Sequence, residues 1–118
     1  MYSIKIEADF SSAHNLREYK GKCEELHGHN WKVEVVVRGK ALDKAGMVMD
    51  FKDLKFRVNE ILEKLDHKYL NEMPYFKKAN PTSENIAKYI YDILKNKVST
   101  LKSVTVWESQ NSAATYYE

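Results

Sequence analysis

Four histidines, one cysteine and a few acids are the residues of this chain whose types and spacing could do chemistry. His27 and His29 are two apart at the entrance of an extended stretch, so both imidazoles point the same way and can converge on one ion. His14 lies just past an earlier alternating stretch, and a hairpin-like pairing of the two could bring it to the same point. Three neutral imidazoles with an open fourth position are the donor set of a catalytic zinc, as opposed to a closed structural one. His-x-His alone is a weak signal, and a surface or core role for these histidines competes with metal binding.

Cys23, four residues before His27, has three readings. It is a fourth zinc ligand closing a structural site, or a small buried hydrophobe. Alternatively it is a thiolate beside a metal, whose charge lowers its pKa and readies it as base or nucleophile. Its neighbours Lys20, Lys22, Glu24 and Glu25 make a poor setting for an apolar core residue, which favours chemistry.

Asp66 and His67 close a helical stretch. They are either a solvated helix end, where the dipole favours histidine, or a proton-transfer pair in which the carboxylate orients the imidazole. Neighbouring side chains usually diverge, so spacing alone favours the helix end. Glu108 alternates onto the face of Val104 and Val106, and an acid on an apolar strand face needs a partner. It is a strand-end charge, or it accepts two hydrogen bonds from a flat, amidine-like ligand edge.

The elements that must position these groups follow from periodicity. Ile4, Ile6, Ala8 and Phe10 alternate with polar residues, which predicts a half-buried strand over 2–10. Residues 11–27 lose the pattern and read as a long loop. Trp31, Val33, Val35 and Val37 give a second strand that Gly39 ends. Asp50 can cap a helix whose stripe is Phe51, Leu54, Val58, Ile61, Leu62 and Leu65. Thr82 or Ser83, after Pro81, caps a second helix with Ile86, Ala87, Ile90, Ile93 and Leu94 inward. Leu101 to Glu108 and Ala113 to Tyr117 are strands around a turn at Gln110-Asn111-Ser112.

The order strand-strand-helix-helix-strand-strand argues against a doubly wound parallel sheet. It predicts an α+β fold: a four-stranded antiparallel sheet with two helices on one face. Four strands do not close a barrel, so the edges need cover, and oligomerisation is the natural route.

At 118 residues the chain is expected to be one domain, 1–118. With 43% apolar and 31% charged residues, and only four Gly and two Pro, disorder is excluded. No apolar run exceeds three residues, which speaks against a membrane span. The start alternates instead of building a hydrophobic signal segment. A net charge of +2, evenly spread, does not imply nucleic acid or an anionic membrane. One cysteine makes no intramolecular disulfide, so a reducing, cytoplasmic location is expected.

Taken jointly, several blocks resemble the 6-pyruvoyl-tetrahydropterin synthase and 6-carboxytetrahydropterin synthase family. They are Phe10-Ser11-Ser12-Ala13-His14, Cys23-Glu24-Glu25-Leu26-His27-Gly28-His29-Asn30, Gly46-Met47-Val48-Met49-Asp50-Phe51, Leu65-Asp66-His67, Asn80-Pro81-Thr82-Ser83-Glu84-Asn85 and Trp107-Glu108-Ser109. The resemblance covers nearly the whole chain and takes in all four histidines. It implies the tunnelling fold, assembled into a barrel, commonly as a hexamer of two trimers. It implies a Zn2+ ion held by His14, His27 and His29, a catalytic Cys23, and Asp66 with His67 as proton relay. Glu108 matches the acid that anchors the pterin ring, and Thr82, Ser83 and Glu84 match a segment lining the same pocket.

The substrate implied is 7,8-dihydroneopterin triphosphate. Three residues between Cys23 and His27 look like the 6-carboxytetrahydropterin branch, a lyase serving 7-deazaguanine (queuosine and archaeosine) synthesis; the animal pyruvoyl branch has a longer insertion there. Glu24, directly after Cys23, is a departure. A related branch uses a glutamate in this loop to release 6-hydroxymethyl-dihydropterin, so a chain with both residues can be expected to do either reaction or both. Two rival classes stand beside these: a non-catalytic zinc protein with Cys23 as fourth ligand, and a nucleic-acid module, which the balanced charge disfavours.

Overall fold

The computed structural model describes residues 1–19 and 24–118. Two long strands, β1 (Tyr2–His14) and β2 (His27–Gly39), pair antiparallel from Tyr2 opposite Gly39 to His14 opposite His27. Helix α1 (Phe51–Leu62), a 3₁₀ turn at Leu70–Glu72, a short α2 (Pro74–Lys78) and α3 (Ser83–Lys95) follow. The chain then returns through β3 (Leu101–Ser109) and β4 (Ser112–Tyr117). The sheet is antiparallel throughout, in the order β1-β2-β3-β4.

The expected sheet is present, with three α-helices among the described residues where two were expected. The third, α2, is too short to display a period. Pro74 starts it at the position where a missing N–H costs nothing, and Phe76 is its buried anchor. Both N-terminal strands also run four residues further toward the site than apolar alternation suggests. The inward rhythm continues through Phe10, Ser12 and His14 on β1, and through His27, His29 and Trp31 on β2, but its members become polar. Hydropathy alone hides a strand whose buried face turns from aliphatic to imidazole.

Asp50 accepts from Lys52 N at 2.8 Å and starts α1; Thr82 Oγ1 accepts from Asn85 N at 3.1 Å and starts α3. Helix α1 packs over β1, and α3 over β3 and β4. Between helices and sheet lie Trp31, Val33, Val35, Leu54, Val58, Ile86, Ile90, Leu94, Val104 and Val106, all fully buried. The opposite face carries Lys5, Glu7, Lys32 and Glu34, joined in ion pairs of 3.6 to 3.9 Å.

The β1 edge is partly covered by the chain itself. Residues 66–69 run along it: Asp66 Oδ1 accepts from Ser11 N at 2.8 Å, and Lys68 O accepts from Ala13 N at 2.9 Å. Beyond that segment the β1 edge and the outer edge of β4 have no strand neighbour among the described residues. Among the described residues, no helix is long and apolar enough to cross a membrane.

Candidate metal centre

The last rungs of the β1–β2 ladder set His14 opposite His27 and Ser12 opposite His29. Since His14, His27 and His29 all fall on the helix-facing side, their rings gather at one end of the core. Ring centroids are 4.6 Å apart for His14 and His27, 5.2 Å for His14 and His29, and 4.7 Å for His27 and His29. Trp31 is the floor beneath them, its ring 4.8 Å from His14 and 5.2 Å from His29, and it stacks in turn on Phe10.

The tautomers follow from what lies behind each ring. His14 Nδ1 is 2.7 Å from Pro81 O, and His27 Nδ1 is 2.9 Å from Glu25 O. A carbonyl only accepts, so each Nδ1 donates and each Nε2 presents a lone pair. Yet these two Nε2 atoms face each other at 3.1 Å. Two acceptors at that distance repel unless a proton or a metal cation stands between them. His29 Nε2 is buried and makes no hydrogen bond; Glu108 Oε1 lies 3.0 Å away without the alignment of one. Burial, the largest influence, holds the His14 pKa below the usual histidine range, and the neighbouring His27 and His29 push the same way against Pro81 O and Glu108. Neutral imidazoles backed by carbonyls are the form in which histidine ligates metal.

The donor atoms of His14, His27, His29 and Glu108 all lie within 4.8 Å of one another. A tetrahedral zinc with arms of roughly 2.0–2.1 Å has edges of about 3.3–3.4 Å. Three of the six separations, 3.1 Å (His14 to His27), 3.6 Å (His14 to Glu108) and 3.0 Å (His29 to Glu108), bracket that edge, and the others stay within 4.8 Å. The donor set therefore fits a metal ion of this kind, and it is held by backbone groups that the ion does not need to organise. The Pro81 and Glu25 carbonyls that fix the tautomers are invisible to a reading of side chains. Asn80-Pro81 before a helix cap is the only signal that could have pointed to the first.

Glu108, Thr82, Ser83 and Glu84 line one cleft with His14, with a volume of about 380 Å³. Asn80 fastens its wall, accepting from Arg17 N and donating to Arg17 O, both at 2.8 Å. The sequence singled out four of these lining residues besides the histidine; the clamping role of Asn80 and Arg17 it did not. Arg17 is committed to the Phe76 and Ala79 carbonyls.

Glu24 accepts from Leu16 N at 3.2 Å and lies 3.7 Å from His27 Nδ1, on the opposite side of the ring from the Nε2 that faces His14. Cys23 lies outside the described residues. Asp66 and His67 do meet, with Asp66 Oδ2 3.0 Å from His67 Nδ1. His67 has a left-handed backbone (φ 56°), which turns its ring back onto its neighbour and removes the expected divergence. Its amide donates to Ser11 O at 2.6 Å, so the pair is pinned to the β1 edge. Asp66 is held below the usual carboxylate range, first by the Ser11 amide and then, against a desolvation penalty, by His67. His67 remains largely exposed, facing a second concavity that runs along the edge to His29. Among the described residues the Asp66–His67 pair makes no hydrogen bond to the three-histidine cluster.

The chain is thus an open antiparallel sheet with helices on one face, carrying at its end a three-histidine, one-carboxylate set that could hold a metal ion. Residues 3–118 match the 6-pyruvoyl tetrahydropterin synthase family, and the chain belongs to that family. A putative 6-carboxy-5,6,7,8-tetrahydropterin synthase of Archaeoglobus fulgidus is 45% identical over 111 residues, covering 94% of this chain and 91% of the relative. The human 6-pyruvoyl tetrahydrobiopterin synthase is 42% identical over 112 residues, covering 90% of this chain and 77% of its own. Among solved structures, Caenorhabditis elegans 6-pyruvoyl tetrahydropterin synthase superimposes with a TM-score of 0.88 at 29% identity, over 99% of this chain and 95% of that one. A Plasmodium vivax 6-pyruvoyltetrahydropterin synthase, described as a catalytic-residue variant with glutamate changed to cysteine, has a TM-score of 0.79 at 26% identity, over 99% and 97% of the two chains.

Proposed function

We propose that the chain is a zinc-dependent lyase converting 7,8-dihydroneopterin triphosphate and water to 6-carboxy-5,6,7,8-tetrahydropterin, acetaldehyde and triphosphate, a step toward 7-deazaguanine nucleosides. The observation that carries it is the pair of opposed lone pairs on His14 and His27 beside an unbonded, buried His29 Nε2. His14, His27 and His29 would hold the ion, which supplies a Lewis acid for the substrate's side-chain oxygens. Glu108 accepts from the ring's 2-amino group and N3–H, with Thr82, Ser83 and Glu84 along the same wall. Cys23 takes a proton from the side-chain carbon next to the ring, and His67, oriented by Asp66, handles protons on the other side.

Relatives of similar identity carry the carboxy and the pyruvoyl name, so the choice between them rests on the three-residue spacing from Cys23 to His27. A catalytic glutamate in the Plasmodium relative supports Glu24 as base for a second reaction on the same substrate, giving 6-hydroxymethyl-dihydropterin.

The working form is a homohexamer of two trimers, in the cytoplasm. The β4 edge and the part of the β1 edge beyond residues 66–69, which have no strand neighbour among the described residues, support edge-to-edge assembly, and exposed His67 beside the β1 edge supports a site completed by a neighbouring copy. The test is product analysis with dihydroneopterin triphosphate for the unmodified protein, Cys23→Ala and Glu24→Gln. Cys23→Ala is expected to keep its zinc and lose about 10²-fold or more of the carboxy product. Any hydroxymethyl product it still makes disappears when Glu24→Gln is added. A zinc-sulfur bond in the resting protein, with no turnover, favours the non-catalytic alternative instead.

A further inference from the structure

Glu108 sits where two demands meet. Its Oε1 is 3.0 Å from His29 Nε2 and 3.6 Å from His14 Nε2, spacings that suit a fourth ligand on the ion those rings would share. Its side chain is also 39% exposed, on the cleft lined by Thr82, Ser83 and Glu84, where a ring can reach it. Among the described residues no Lys or Arg pairs with it, and an ion held by the histidines would offset its charge.

A carboxylate that accepts from two adjacent donors on a flat ring must turn both oxygens into the plane of that ring. It then cannot keep Oε1 as a full metal ligand among the imidazoles. We infer that Glu108 serves both partners in turn: it closes the metal's coordination sphere in the substrate-free protein and is drawn off by the ring, which opens a position for the substrate's side-chain oxygens. This inference rests on the metal-dependent reading above and adds an order of events to it. His14, His27, His29 and Glu108 would together hold the ion and shield it from stray ligands until the ring is seated. Lewis acidity is then exposed only with a substrate in place.

Linkage makes the exchange measurable without turnover. If ring and metal compete for one carboxylate, each weakens the other by the same factor. A plain pterin, which has the donor edge and no side chain to ligate the ion, is the probe. Its affinity is measured for the full-length protein with and without metal, and the metal's affinity, by chelator competition, with and without pterin. The expected result is pterin binding about fivefold or more tighter to the metal-free protein, with an equal loss in metal affinity when pterin is present. In the cobalt-substituted protein, pterin should weaken the visible bands of the four-coordinate ion, and Glu108→Ala or Glu108→Gln should alter those bands with no pterin added. Circular dichroism confirms that the variants fold, and the linkage measurement on the unmodified protein needs no variant. Equal pterin affinity with and without metal, or a cobalt spectrum indifferent to both substitutions, overturns the exchange and leaves the metal site standing. If the unmodified protein takes up no metal at all, the functional reading falls along with it.

Discussion

His14 and His27 meet across the last rung of the β1–β2 ladder with their Nε2 atoms 3.1 Å apart, each ring turned by a carbonyl behind it. Neither carbonyl can donate, so the geometry stores two opposed lone pairs for an ion to join. The two rings differ in setting. His14 is almost wholly buried, whereas the His27 side chain is 35% exposed.

That difference separates the effects of their removal. One zinc per chain is expected, and His27→Ala and His14→Ala should each lower its affinity by more than the roughly 10–100-fold seen for losing an outer-shell partner. His14→Ala should also cost about 1–3 kcal/mol of stability, because the Pro81 carbonyl is left unpaired in the core. Metal analysis and urea unfolding read the two quantities. Full zinc content in His27→Ala sinks the assignment.

Asp66 tests the relay. Its folded pKa lies below the ordinary 3.8, with the Ser11 amide as first cause. A depressed carboxylate contributes fully at neutral pH, and that contribution fades only as pH falls through the folded value. The Asp66–His67 geometry should therefore survive mild acid, with the Asp66 carboxyl ¹³C signal titrating below 3.8. Asp66→Asn keeps an oxygen for the Ser11 amide but no charge for His67. Turnover should fall about tenfold or more while metal content holds; a fall in metal content instead would place Asp66 in the scaffold of the metal site.

Thr82 has a structural duty that must be separated from its proposed contact with substrate. Its hydroxyl caps α3 through Asn85 N, so Thr82→Ala should cost about 1 kcal/mol, a Tm decrease of about 4 °C or more. Thr82→Ser retains the cap. If Thr82 also lines the ring pocket through its methyl group, the serine variant will raise KM with an unchanged Tm. Unchanged KM in Thr82→Ser assigns the residue to the helix alone.

Two inactive variants, Cys23→Ala and His67→Ala, should recover part of the activity when mixed under conditions of subunit exchange. Mixed assemblies then hold some sites with Cys23 from one parent and His67 from the other. Persistent inactivity in verified mixed oligomers would mean that both residues serve one chain's own pocket.

Much of the fold was legible because its central strands and helices bury apolar residues at regular periods. Val33, Val35 and Val37 on β2 and Ile86, Ile90 and Leu94 on α3 announce their faces by hydropathy, and all are fully buried. The strand end at Ser12 and His14 was not legible, since polar side chains on a buried face break the apolar rhythm while the backbone continues it, whereas His27 and His29 were read correctly as the extended entrance of the second strand. Helix α2 was missed because a single turn and a half shows no period.

The same division holds at the site. Residue type and spacing alone raised His14, His27, His29 and Glu108 as candidates, because few side chains can ligate a metal or move a proton; Asp66 and His67 read from spacing as a helix end, and only the family resemblance made them a pair. Only the tertiary structure could turn His67 back onto Asp66, through a left-handed backbone pinned to Ser11. It also set each imidazole's tautomer, through the carbonyls of Pro81 and Glu25, and brought Glu108 from β3 against rings carried by β1 and β2. A sequence specifies which groups are available. Which lone pairs face one another depends on strand register and on backbone carbonyls, and every residue carries the same carbonyl.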